Sequence, residues 1–414
     1  MRTALPAVLA LSLACGGGGP APAPPPSAQP APDPAPVPPS AAPSAALTIE
    51  RLDAAGECAG LVPEGAPEPV PISRSAPAGA TCGAALSDGT GQVAASARDG
   101  RGASWQVFDA AGAPGGTFRA WPLLAQPSGW LGGVQDDAAP GGPAVRVVAL
   151  APDGVPARAE TVSGDPAQAL LRGWSLAGDP SGGALALVAD TAVAGNHWSI
   201  LHAQRLDAAG APRWSAPPRF GARSEPDVTF LVGGVSRGGE ALAVWQRSAW
   251  VDVAWLGGDG GVLAAAELVE RSSDLTGSEA PRHELELVPL LDGALALRAD
   301  GAFRRAYPRL ATASAPLPGW LAGRAAWTLR FTRGNAGYAL LPPPGEAADD
   351  CAQAIELRAP SGRLCGRIWL RRPGAGACTT GAVDQGWDGT VAQQDAQGAC
   401  SWRVWPRLLS AATP

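Results

Sequence analysis

Lysine is absent from the sequence: all 31 basic residues are arginines. Charge of either sign is sparse, with charged residues at 16% and a net charge of −6, so nothing draws the chain toward nucleic acid or an anionic lipid surface. There are three histidines, His197, His202 and His283. His197 and His202 lie in one strand-like run on opposite faces, so they cannot hold a metal together, and neither a metal nor a cofactor is expected. No G-x-S-x-G, H-E-x-x-H, P-loop or dinucleotide glycine motif stands in context, so no catalytic residue can be named. No run keeps apolar residues three and four apart over a dozen positions without Gly or Pro, which excludes a fold dominated by long helices. What is abundant is 54 Gly, 43 Pro and 15 Trp, the composition of a chain that turns often.

The N-terminus carries the most specific pattern. Arg2 is followed by the apolar stretch "ALPAVLALSLA", which ends on Ala14 just before Cys15. That stretch is too short to span a bilayer and has the layout of a secretory signal. "LSLAC" at 11–15 resembles the lipobox of bacterial lipoproteins, with Ser12 where an aliphatic residue is preferred. The resemblance implies cleavage before Cys15 and lipidation of its thiol; Gly16 in place of Asp implies delivery to the outer membrane or cell surface. The Ala/Gly/Pro/Arg-rich composition fits a GC-rich bacterial genome. Residues 1–14 are therefore expected to be a lipoprotein signal peptide. Residues 15–46, rich in Gly, Pro and Ala, are expected to be a disordered linker, extended where polyproline II forms. The folded body is expected over residues 47–414, with the membrane as its partner through the lipid.

Beyond Cys15 six cysteines remain: Cys58, Cys82, Cys351, Cys365, Cys378 and Cys400. An even number in an exported chain points to disulfides, and the lack of C-x-x-C spacing argues against zinc or thioredoxin-type chemistry. Six cysteines permit fifteen connectivities. The expected pairs are Cys58 with Cys82, Cys365 with Cys378 and Cys351 with Cys400; a pairing of Cys378 with Cys400 stands beside them.

From residue 47 onward the pattern becomes short Val/Leu/Ala strands, such as "ALALVAD" (184–190), "ALAVWQR" (241–247) and "AVRVVAL" (144–150), separated by Gly-rich turns. "FDAAG" (108–112) and "LDAAG" (52–56 and 206–210) recur. Asp at the first turn position can accept a backbone N–H two residues on, Ala suits the right-handed central positions, and Gly takes the left-handed conformation that closes a hairpin. The eight turn glycines at 56, 112, 154, 210, 260, 301, 362 and 398 fall roughly 36 to 61 residues apart, bracketing one four-stranded blade. The expected fold is an all-β propeller of seven or eight blades after the disordered tether. "LTIERLDAAG" at its start is expected to complete a blade with the C-terminal "TVAQQDAQGACSWRVWPRL".

"RLDAAGAPRWSAP" (205–217), where Trp214 follows the turn, resembles the repeat of quinoprotein-type propellers, a repeat also found in a lipoprotein of the machinery that assembles outer-membrane barrels. Trp105, Trp198, Trp250 and Trp402 are expected to pack between blades. Trp130, Trp320 and Trp387, in "SGWLGG", "PGWLAG" and "QGWDG", are the candidate ligand-binding residues. The leading expectation is a lipid-anchored cell-envelope binding or scaffolding module for an envelope protein or glycan. An envelope-polysaccharide-active enzyme with a site at the propeller mouth, and an outer-membrane assembly factor, are the alternatives.

Overall fold

The computed structural model describes residues 47–76, 78–99, 102–136, 144–162, 170–191, 199–215, 218–220, 228–277, 284–332, 336–345, 352–371 and 381–410. The chain divides into Met1–Ser44 and Ala45–Pro414, and only the second contains described residues. The signal and tether, with Cys15, therefore lie outside them, as do Cys351, Cys378, Trp198, His197 and His283.

Strands β1 (Leu47–Arg51) and β2 (Val70–Ser73) open the body. Blade 1 then holds β3 (Thr81–Ser87), β4 (Val93–Asp99), β5 (Gly102–Phe108) and β6 (Pro114–Arg119). Blade 2 holds β7 (Leu123–Gln126), β8 (Gly129–Asp136), β9 (Ala144–Leu150) and β10 (Pro156–Thr161). Blade 3 holds β11 (Leu170–Gly178), β12 (Ala184–Thr191), β13 (Ser199–Leu206) and β14 (Arg219–Phe220). Blade 4 holds β15 (Val228–Val235), β16 (Ala241–Arg247), β17 (Trp250–Leu256) and β18 (Val262–Arg271). Among the described residues blade 5 holds β19 (Leu285–Pro289), β20 (Leu295–Ala299) and β21 (Ala302–Tyr307). Blade 6 holds β22 (Thr328–Phe331), β23 (Tyr338–Leu341), β24 (Ala352–Arg358) and β25 (Leu364–Arg371). Blade 7 holds β26 (Val383–Gln385), β27 (Val391–Gln394) and β28 (Ser401–Trp405). Seven antiparallel sheets make a seven-bladed β-propeller.

The strand pattern explains why the blades stack. In β12, Ala184, Ala186 and Val188 face one buried cluster with Leu131, Val147 and Leu176, while Leu185, Leu187 and Ala189 face another with Val235, Ala241 and Ala243. Alternate side chains thus feed two different cores, one on each side of the blade, which is why the strand is apolar at both faces. Seven such clusters recur, one at each blade–blade interface.

The recurring turn behaves as its chemistry requires. Asp109 Oδ1 accepts the N–H groups of Ala111 at 2.9 Å and Ala113 at 2.8 Å, and Gly112 closes the β5–β6 hairpin at φ 84°. Asp207 does the same for Ala209 and Ala211 after β13. The first copy differs: Asp53 caps Ala55, but the chain runs on into a 3-10 turn at Gly56–Cys58 and forms no hairpin.

Closure joins the two ends of the body twice. β1 adds to the outside of blade 6 against β25, and β2 adds to blade 7 against β28. The expected union of "LTIER" with the C-terminal strands is thereby corrected: those strands take β2, because the longer stretch between β1 and β2 carries β1 back one blade. The disulfide pairs are corrected as well. Cys58 bonds Cys365 and Cys82 bonds Cys400, spanning 307 and 318 residues. None of the three expected pairs forms, because each has a member bonded elsewhere: ring closure sets the distant Cys58 and Cys365, and Cys82 and Cys400, side by side. The first bridge ties the stretch after β1 to β25, and the second ties β3 of blade 1 to the turn before β28.

Candidate functional site

The first strand of each blade lines a central cavity of about 1260 Å³. It reaches from Trp121 and Glu284, where chains enter the first strands, to Pro127, Pro180 and Trp387 at the hairpins that leave them. A cis peptide joins Trp121 to Pro122 just before β7.

At the hairpin end every interface is crossed by a polar contact. The Ser87 hydroxyl donates to Asp388 Oδ1 at 2.5 Å, and the Trp387 N–H donates to the Ser87 carbonyl at 2.8 Å, from blade 7 to blade 1. Gly89 N–H donates to the Gln126 carbonyl, and the Gln126 amide exchanges hydrogen bonds with the Gly183 backbone. Arg205, held by the buried Asp179 carboxylate at 2.6 Å, donates to the Gly239 carbonyl. Arg309 pairs with Glu240, and this bond with that of the Ser236 hydroxyl brings the Glu240 carboxyl down to about 2. Leu291 N–H donates to the Tyr338 hydroxyl, and Gln385 Nε2 to the Phe331 carbonyl. Burial pushes Asp88 above the usual carboxylate range, against the Thr90 hydroxyl and the N–H groups of Gln92 and Thr90.

Indoles stitch the interfaces further out. Trp105, Trp255 and Trp402, all on third strands, donate Nε1–H to the carbonyls of Ala120, Ala311 and Gly83, toward the neighbouring blade. Trp214 donates likewise to Gly258. The packing role expected for Trp105 and Trp402 is what the structure shows, whereas Trp250 is 39% exposed and stacks under Arg271.

Of the three candidate ligand tryptophans, the fold brings only Trp387 to the cavity. Trp130 is 1% exposed, packed in the core between blades 1 and 2 with its ring 6.2 Å from Phe118. Trp320 lies against Tyr338, 4.9 Å between ring centres, in the core between blades 5 and 6.

The charged groups of the cavity are ones the sequence does not single out. Arg298 on β20 and Arg330 on β22 both face Glu286 of β19, at 3.7 and 4.0 Å. Burial lowers the Arg298 guanidinium, opposed by Glu286 and abetted by the like charge of Arg330. Arg98 stacks over Trp121, 3.6 Å from the ring centre, with Trp121 44% exposed. Behind the lining, Asp384 on β26 keeps some accessible surface yet is enclosed by protein atoms. Burial pushes its carboxyl up to about 6, against the charge of Arg330 and the Ala85 N–H.

A closed seven-bladed ring around a preformed, aromatic- and arginine-lined channel is the class of protein that this fold and site define. No protein-family model and no curated protein matches the chain. Solved structures align with it at low similarity. A prolyl endopeptidase aligns at TM-score 0.39 and 12% identity over 76% of this chain and 46% of that one, so the chain spans less than half of that enzyme. A luciferin-regenerating enzyme aligns at 0.32 and 13% over 74% and 96%. A quinoprotein alcohol dehydrogenase-like protein from Bacteroides thetaiotaomicron aligns at 0.34 and 9% over 70% and 66%. Likeness at this level says nothing of what the channel holds. The two disulfides fit a body outside the reducing cytosol. Among the described residues no helix is long and apolar enough to cross a membrane.

Proposed function

We propose that the chain is exported, lipidated at Cys15 and held off the outer membrane or cell surface by the 15–46 tether, and that its propeller is a binding module whose ligand occupies the central channel. The carrying observation is the channel itself: about 1260 Å³, preformed, and held open by polar contacts across all seven interfaces. A site of that size and rigidity binds without first being ordered, which lowers the entropic cost of association. The Asp and Arg groups at the hairpin end are committed to holding blades together, which favours binding over chemistry there. The enzymatic reading draws on one group, Asp384, whose carboxyl near 6 is of the kind a general acid needs.

Two measurements test the proposal. Cys15→Ala should move the protein from the membrane fraction to the soluble one; if it stays with the membrane, lipid anchoring is wrong. A photo-reactive aromatic residue in place of Trp387 should capture an envelope protein or glycan, while the same group at the exposed Val155 should not. Equal capture from both positions, or none from position 387, would refute the channel as the binding site.

A further inference from the structure

Resting on the channel-binding reading, we propose that Arg298 and Arg330 form an anion subsite that takes the carboxylate of an acidic saccharide. Two guanidiniums from adjacent blades face the Glu286 carboxylate, and neither reaches it within hydrogen-bond distance; Glu284 adds its charge to Arg298 and Asp384 to Arg330 from further off. Among the described residues Arg330 donates to the carbonyl of its own neighbour, Leu329, at 3.0 Å. Arg298 Nε is buried with no hydrogen-bond partner among the described residues. Among the described residues the two guanidiniums therefore keep N–H donors that no acceptor takes, at a point where Arg298, Arg330 and Glu286 all line the cavity. A planar carboxylate accepts from such forks, and one arriving here adds the missing acceptors without displacing Glu286 from a bond it already makes.

The saccharide half of the assignment comes from the rest of the lining. Gln385 Oε1 is a buried acceptor with no donor among the described residues, where its Nε2 is already committed to Phe331. A sugar hydroxyl supplies that donor. Phe331, Trp387 and the exposed Trp121 put aromatic faces along the same cavity, surfaces on which the C–H faces of sugar rings pack. A ligand with hydroxyls, apolar ring faces and one carboxylate per residue, such as a hexuronate oligomer, meets all three features.

Calorimetric titration of the full-length protein at low salt with tetragalacturonate, galactotetraose and tetraglutamate tests this. Tetragalacturonate should bind more tightly than the neutral tetraose, lose at least tenfold in affinity with Arg330→Gln or Arg298→Gln, and gain several-fold with Glu286→Gln. The opposite signs guard against misfolding, since a damaged protein cannot bind better. If galactotetraose binds as tightly as tetragalacturonate, or Glu286→Gln brings no gain, the anion subsite is refuted while channel binding stands. Tighter binding of tetraglutamate overturns the saccharide assignment. Binding of none of the three overturns this inference, and the capture experiment at position 387 then decides separately whether the channel binds anything.

Discussion

The two disulfides are interlocked, and their removal should be cooperative. Cys58–Cys365 and Cys82–Cys400 close loops of 307 and 318 residues. Taken alone, each would remove about 5.7 kcal/mol of chain entropy from the unfolded state on the loop-length relation. Together they do less. With one bridge intact, the other closes only the stretches 58–82 and 365–400, a loop of about 60 residues worth about 4 kcal/mol. Replacing either pair by alanine should thus cost about 4 kcal/mol, and replacing both about 10, more than twice the single loss. Alanine avoids burying a hydroxyl at Cys58 and Cys365, which are 1% and 0% exposed, and its cavity cost enters both steps equally. Domain stabilities are about 5–15 kcal/mol, so each single-bridge variant should fold and the bridgeless one should be largely unfolded at 37 °C. Guanidinium unfolding followed by Trp fluorescence and far-UV circular dichroism, with coincident transitions, measures this. A bridgeless variant within about 2 kcal/mol of the parent, or a double loss no greater than the sum of the singles, refutes the closure argument.

Two further substitutions probe the ring. A Cβ at Gly386 would stand 1.9 Å from Ser87 Oγ and 2.5 Å from its backbone N and O, so Gly386→Ala should push blades 7 and 1 apart and cost about 2–4 kcal/mol from overpacking and a lost hydrogen bond. Gly319→Ala, with nothing within 4 Å, should leave the thermal midpoint unchanged, and equal effects of the two would refute the tight-contact account. Asp384→Asn should stabilise the protein at pH 7.5 by an amount on the order of 2–3 kcal/mol, with the gain gone at pH 4. The sign follows from the raised carboxyl: the folded state holds the proton up to about 6, so the parent loses stability as pH rises from the unfolded value to that point and stays at the lower level above it. Denaturant unfolding at both pH values checks it, and a gain independent of pH refutes it.

What the sequence discloses depends on how local the physics is. Asp109 and Asp207 cap their own turns within four residues, so the hairpins are legible from "DAAG" alone. Eight turn glycines become seven blades because Gly56 follows a strand that is lent to blade 6 and leads into a 3-10 turn. Trp130 looks like a loop residue in "SGWLGG", yet Pro127 and Ser128 are the whole β7–β8 turn, and the indole already belongs to the second strand, in the core between blades 1 and 2. Trp387 stays in its turn, which is why it reaches the channel.

The channel charges are hidden for a different reason. Glu286 in "LELVP", Arg298 in "LALRA" and Arg330 in "TLRF" each read as the polar side of a half-buried strand. Glu286 and Arg298 are cross-strand partners, so a hairpin reading could find that pair. Arg330 belongs to the next blade, and no spacing rule ties it to them. It arrives because blade 6 packs on blade 5, and blade 6 is itself positioned by β1 and the Cys58–Cys365 bridge from the far end of the chain. A site assembled by ring closure leaves no contiguous motif, and substitutions at the closure should therefore disturb the arginine pair from a distance. Opening the Cys58–Cys365 bridge under conditions where the protein stays folded should loosen blade 6 and weaken uronate binding in step with Arg330→Gln. Undiminished binding in that variant would show that the arginines are held by blade packing alone.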